Sequence, residues 1–198
     1  VLFRRQRQMC IRDRYMDETI PEDQMPMRMV GVSQCFRREV GSHGQSDLGI
    51  WRVHQFTKIE QIIISKPEDS WSLHEELLQN CTDLWDSLGI HYEIVNICTG
   101  DMGTVAAKKY DLEAWIPGAN QYKEIVSCSN CTDYQANRLS IRYGQPGHPN
   151  QPIVHTLNST AVATSRALVA IMEQNQLEDG RVAIPAACLL YTSPSPRD

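Results

Sequence analysis

No stretch of the 198-residue chain approaches the roughly 20 apolar residues needed to cross a bilayer. The longest apolar run, around Ile62–Ile64, has the size of a strand. No apolar segment with a small-residue cleavage site follows the arginine-rich beginning, so nothing reads as a secretory signal. Positive charge is not in surplus either: 19 Lys and Arg stand against 24 Asp and Glu, a net charge of −5. Broad nucleic-acid binding needs clustered cations, so any RNA contact must be local. Seven cysteines, an odd number without framework spacing, argue against a disulfide scaffold and for reduced thiols in a cytoplasmic protein. Neither a P-loop nor a G-x-G-x-x-G turn is present, and no internal repeat is seen. What remains, 41% hydrophobic and 22% charged residues, suits one globular domain with a real core.

Both ends differ in texture from the middle. Residues 1–14, VLFRRQRQMCIRDR, carry five Arg and one Asp with no periodicity, and CLLYTSPSPRD closes the chain. Both strings resemble translated sequencing-adapter read-through. Segments 1–14 and 188–198 are therefore expected to be non-native, with residues 15–187 as the domain proper. Without the two strings Lys and Arg fall from 19 to 13 and Asp and Glu from 24 to 22, a net of −9. The basic beginning is thus no argument for RNA binding.

From Met27 to Glu39 the chain reads as a strand, and a second strand is predicted over Ile50–Ser65. Its alternation places Trp51, Val53, Gln55, Thr57 and Ile59 on one face and Arg52, His54, Phe56, Lys58 and Glu60 on the other. The glycine-bounded segment Gly41–Gly49 makes the pair a long antiparallel hairpin. A helix is predicted from Asp69 or Ser70 to a stop at Gly89, with Trp71 and Trp85 in its core stripe. Strands follow at Ile90–Cys98, Leu112–Ile116, Tyr122–Cys128, Arg138–Tyr143 and Ile153–Leu157, with a short helix at Asn130–Asn137. A last helix, Ala161–Gln176, is apolar through Val162, Leu168, Val169, Ile171 and Met172. Strands that follow one another through turns predict an α+β fold: an antiparallel sheet flanked by helices.

Taken singly, the polar motifs say little. Arg-Arg-Glu on a strand is usually a solvated face, Phe56 alone would be packing, and Lys108-Lys109 reads as solvated. Cys128 and Cys131 have C-x-x-C spacing, but a structural zinc needs four ligands and no second pair exists, so packing is the reading. The six histidines show no metal spacing.

In order along the chain, however, CFRREVGS with WRVHQFTKIEQ, then YDLEAWIPGANQYKEIVSCSNCTDYQANRL, then HTLNSTAVATSRALVAIMEQNQLEDG, resemble motif 2, the central segment and motif 3 of the seryl-tRNA synthetases, class II aminoacyl-tRNA synthetases of archaeal and eukaryotic type. The similarity runs from about Tyr15 to Pro185. It implies ATP-dependent activation of L-serine, transfer of the seryl group to tRNA(Ser), Mg²⁺ on the phosphates, a cytoplasmic location, a homodimer in the full-length enzyme, and no membrane partner. By resemblance Arg37 grips the α-phosphate and Arg166, at a helix start, the γ-phosphate. Arg38, Glu39 and Arg52 fall in the ATP site. Val53 offers backbone to adenine and Phe56 stacks on it. Glu124, Ile125, Val126 and Ser127 form a further ATP segment, in which Glu124 and Ser127 ligate Mg²⁺. Glu60, Asn158 and Thr160 line the serine pocket.

The sequence departs from the family pattern at the motif 2 turn, Gly44-Gln45-Ser46-Asp47-Leu48-Gly49, which lacks the usual basic residues and so weakens the expected contact to the tRNA acceptor end. Asn137 stands where Arg is common. The family's Thr-Ala-Glu segment, motif 1 and the tRNA-binding helical hairpin would precede Tyr15, so the chain reads as a catalytic-domain fragment with little aminoacylation activity of its own. Two alternatives remain at this stage: a paralogue that charges a carrier protein, and a non-catalytic homologue. The latter predicts loss of Arg37, Glu124 or Arg166, and all three are present.

Overall fold

The computed structural model describes residues 13–38, 49–145 and 147–189. In chain order the elements are β1 (Thr19–Ile20), β2 (Met27–Phe36), β3 (Gln55–Ser65), α1 (Ser70–Ser87), β4 (Tyr92–Asn96), β5 (Lys108–Ile116), β6 (Gln121–Asn130), α2 (Tyr134–Leu139), β7 (Arg142–Tyr143), β8 (His155–Ala163), α3 (Thr164–Gln174) and α4 (Ala186–Leu189). Six strands form one sheet in the order β2-β3-β8-β6-β5-β4. Every neighbouring pair is antiparallel. The α+β expectation holds.

Alternation decides the faces. Ile63, Cys128 and Leu157 pack under Leu73 and Leu77 of α1, while Ile64 joins Ile20, Ala136, Ile141 and Val154 on the opposite face. The largest cluster gathers Cys81 and Trp85 of α1, Leu112, Ala114 and Ile116 of β5, Ile125 and Val126 of β6, and Ala167 and Ala170 of α3. Thus α1 and α3 cover one face of the sheet. Near β3 and β8 the other face stays polar.

Several predicted elements shift. The second strand begins at Gln55, not Ile50, so Trp51–His54 do not alternate as read. The last core strand runs over His155–Ala163, not Ile153–Leu157. Pairing of Lys58 with Ala163 keeps the backbone extended there and delays the following helix to Thr164. Strand β5 starts at Lys108, because Lys108 and Lys109 find partners in Glu75 and Asp111, 2.9 Å away in each case. Asn130 ends β6 rather than opening a helix, and Arg138 lies in α2, which stops at Ser140 (φ 53°). In α1 the buried stripe is Ser70, Leu73, His74, Leu77, Cys81 and Trp85. Trp71 lies off that stripe and is 48% exposed, contrary to its placement in the core. In α3 the small residues Ala167 and Ala170 meet the sheet, while Leu168 and Met172 face outward. The stop at Gly89 is as expected, since its φ of 67° suits glycine.

His74 is the one fully buried titratable ring of α1. Its Nε2 lies 3.1 Å from the Cys128 carbonyl. A carbonyl only accepts, so this nitrogen carries the proton. Nδ1 has no partner among the described residues. The ring stacks on Tyr110 with centroids 5.2 Å apart. Burial holds the His74 pKa below its ordinary value, and burial does the same for the half-buried His155. The unfolded chain therefore binds protons first on acidification. Stability is expected to fall as the pH drops through about 6.5. Urea melts from pH 8 to 5 should show this slope, and His74→Gln should flatten it. In the same melts Trp85→Ala is expected to lose about 3–5 kcal/mol.

Candidate active site

On the polar face, β2, β3, β8 and β6 bring distant segments together. Phe56, Lys58 and Glu60 alternate along β3. Register sets Glu60 beside Thr160 of β8. In this region lies a cavity of about 250 Å³. Nine of the predicted residues line it. Arg37, Arg52, Val53 and Phe56 come from the hairpin, Glu124, Ile125 and Ser127 from β6, Thr160 from the end of β8, and Arg166 from the first turn of α3. Trp51, Lys58, Ala163 and Ser165 line it as well, and the sequence reading assigned none of these a role. Arg38 is exposed and does not line the cavity, and Glu39 lies outside the described residues. The Val126 side chain is fully buried in the core beneath.

Two arginines dominate the electrostatics. Arg37 is held by its own backbone: its N–H donates to the His54 carbonyl at 2.9 Å, and the His54 ring approaches the Arg37 carbonyl at 3.1 Å. Its guanidinium carbon stands 5.2 Å from the Phe56 ring centre, so cation and aromatic face meet in the cavity. Arg166 donates from Nη1 to the Glu124 carbonyl at 2.6 Å and to Glu124 Oε1 at 3.0 Å. The pair is asymmetric, with the arginine side chain 15% exposed and the glutamate 45%. A partly exposed carboxylate can turn toward another cation.

Glu60 is buried; one oxygen accepts a hydrogen bond, and the other has no hydrogen-bond partner among the described residues and meets only the charge of Lys58. Asn158 donates its amide to Oε1 at 2.9 Å, and Lys58 Nζ lies 2.8 Å from Oε2. Asn158 is in turn approached by the Cys131 thiol. Asn158 and Glu60 do not themselves line the cavity; they form a wall reached past Thr160 and Lys58. Without Lys58 the buried carboxylate would lose its counter-charge.

Asp111 lies opposite Ser127 on the neighbouring strand. It is 4% exposed, and its Oδ1 has no hydrogen-bond partner among the described residues. Burial, then its neighbour Glu124, push its pKa up, with Lys109 and Ser127 opposing. Among the described residues no three His, Cys, Asp or Glu side chains are grouped to hold a metal by themselves. Burial raises the pKa of Cys35, though Lys58 and Arg37 oppose it, and pushes that of Cys128 up to about 12, so neither of these two thiols is an activated nucleophile. Cys128 and Cys131 are both buried, in keeping with packing.

Residues 7–175 match the family model described as tRNA synthetase class II core domain (G, H, P, S and T). The chain is similar to the serine--tRNA ligase of Archaeoglobus fulgidus, 55% identical over 188 residues, which is 93% of this chain and 42% of the relative. Among solved structures it is similar to the seryl-tRNA synthetase of Pyrococcus horikoshii complexed with ATP (TM-score 0.88, 51% identity, 91% of this chain and 40% of that one). It is also similar to the cytoplasmic serine-tRNA ligase of Naegleria fowleri in complex with AMP (TM-score 0.86, 45% identity, 91% of this chain and 43% of that one). The chain thus spans about two fifths of the length of these relatives. With the antiparallel sheet, the arginine-lined cavity and the family match in agreement, the chain belongs to the class II tRNA synthetase core domain family (G, H, P, S and T).

Proposed function

We propose that the chain supplies the part of a serine–tRNA ligase that activates L-serine with ATP, forming seryl-adenylate and pyrophosphate, before the complete enzyme passes the seryl group to tRNA(Ser). The observation that carries the reading is that one cavity joins a nucleotide-suited end, with Arg37, Phe56 and Arg166, to Thr160, whose partner on the neighbouring strand is the buried carboxylate Glu60. The relatives' names and the ATP and AMP in the two solved structures support it.

In this reading the serine carboxylate is the nucleophile. It attacks the α-phosphorus, the bond to the β-phosphate breaks, and pyrophosphate leaves with the electron pair. No protein nucleophile is needed, so catalysis is positioning and charge neutralisation. Phe56 covers the adenine and Val53 offers it backbone groups. Arg37 binds the α-phosphate through its planar fork. Arg166 and Arg52 add fixed positive charge along the phosphates, while Arg38 and Glu39 belong to the same segment. Glu60 takes the serine ammonium, Asn158 fixes its orientation, and Thr160 meets the hydroxyl.

Mg²⁺ suits the donors present. Glu124 and Ser127 offer hard oxygens at the cavity, and the unpartnered Asp111 oxygen lies beside Ser127. One carboxylate with a hydroxyl and substrate phosphates is the usual way such an ion is held. When bound it would neutralise charge on the phosphates. Residues 15–187 are assigned as the catalytic part. A cytoplasmic, homodimeric full-length enzyme completes the proposal. Among the described residues no helix is long and apolar enough to cross a membrane.

ATP with Mg²⁺ at 100 times its dissociation constant should stabilise the chain by about 2.7 kcal/mol. That corresponds to roughly 5–10 °C in thermal unfolding. Arg37→Ala is expected to lose most of this shift, and absence of any shift in the parent would sink the proposal. A non-hydrolysable seryl-adenylate analogue should stabilise more than its alanyl and threonyl counterparts. Glu60→Gln should weaken all three aminoacyl analogues alike while keeping the shift with ATP; unchanged shifts with the analogues would remove Glu60 from the serine site.

A further inference from the structure

Trp51 was read on the strand face opposite Arg52, yet it stands in the cavity wall. On its far side a second, more open cavity of about 650 Å³ is lined by Gly118, Gln121, Lys123 and Glu173 among others, and Trp51 lines that one too. Arg166 belongs only to the first cavity and Lys123 only to the second. Trp51 is therefore a partition between them. Both cations lie over its ring, the Arg166 guanidinium carbon 5.2 Å and Lys123 Nζ 5.3 Å from a ring centre.

The geometry points to Trp51 as the positioning residue for Arg166. A guanidinium has an edge of N–H donors and two flat faces. Glu124 takes part of the edge, through its carbonyl and Oε1. The indole ring attracts the charge through its negative π face and backs the group against the cavity. Glu124 is the more exposed partner. When a nucleotide brings a cation that draws this carboxylate away, the ring is the contact that keeps Arg166 aimed. An aliphatic side chain of similar bulk would fill the space but offer no such attraction.

The inference rests on the reading that the cavity takes ATP, and a double-mutant cycle separates the two. ATP with Mg²⁺ is titrated calorimetrically into the parent, Trp51→Leu, Trp51→Phe, Arg166→Leu and the Trp51→Leu/Arg166→Leu pair, with a ligand-free melt of each. Trp51→Leu is expected to weaken binding roughly 3- to 30-fold, the span of a cation–π contact. Trp51→Phe should recover most of the loss, and Trp51→Leu should cost nothing further when Arg166 is already Leu. As a second measure that leaves shape nearly unchanged, fluorinated tryptophans are incorporated. Affinity should fall stepwise as the ring's negative face weakens. A parent-like Trp51→Leu, a loss that persists without Arg166, or a flat fluorination series overturns the role of Trp51 and leaves the ATP reading intact. A parent that binds no ATP overturns the functional reading, and this inference with it.

Discussion

Strand β3 pairs with β2 over ten residue positions and with β8 over eight. Successive side chains alternate, so this double pairing forces β3 to serve two environments at once. Gln61 and Ile63 turn toward α1, while Phe56, Lys58 and Glu60 turn toward the cavity. A slip of one residue would turn Lys58 toward the apolar layer and bring Ile59 into the cavity wall. The apolar packing of Ile63 against Leu73, Leu77 and Leu157 is therefore what keeps the polar row aimed. Fold stability and site geometry are two faces of one register.

The irregularity between Ile59 and Glu60 fits this view. It lies where the strand passes from Phe56 and Lys58 at the cavity to the buried Glu60, and a local break in pairing re-aims side chains there. A similar shift between Leu112 and Glu113 occurs on the pair that presents Glu124 and Ser127. Both breaks in regular pairing fall at the groups that face the cavity.

Much of this was legible from residues alone, and the rest failed for identifiable reasons. The β2–β3 hairpin, α1 and its glycine stop followed from alternation and helical spacing. So did the antiparallel class. The end of β8 was missed because Asn158-Ser159-Thr160-Ala161 is small and polar; pairing with β3 as far as Ala163, joined by β6 only as far as Ser159, makes it a strand. Trp51 was misplaced because the strand was extended back through residues that turn out irregular. Lys58 was visible as part of a polar row but without partners in sequence. Its contact with Glu60 spans two residues on one face and becomes meaningful only with Asn158, ninety-eight positions further on, completing the carboxylate's surroundings. Motif similarity located the arginines well, but it could not show that Glu124 and Arg166 hold each other.

That last contact has a thermodynamic reading. With Glu124 closed on Arg166, this pair is electrically self-compensated: neither the anion-binding group nor the cation-binding group is fully available. A phosphate that captures Arg166 frees a carboxylate next to new negative charge, which is unfavourable unless a cation arrives in the same event. A cation alone frees an arginine with no anion to meet it. On the proposed reading each visitor would raise the affinity for the other, and by linkage the favour would be mutual. On the proposed reading such a site would favour a polyphosphate that already carries its metal over a bare one, with Glu124 as the group the two share.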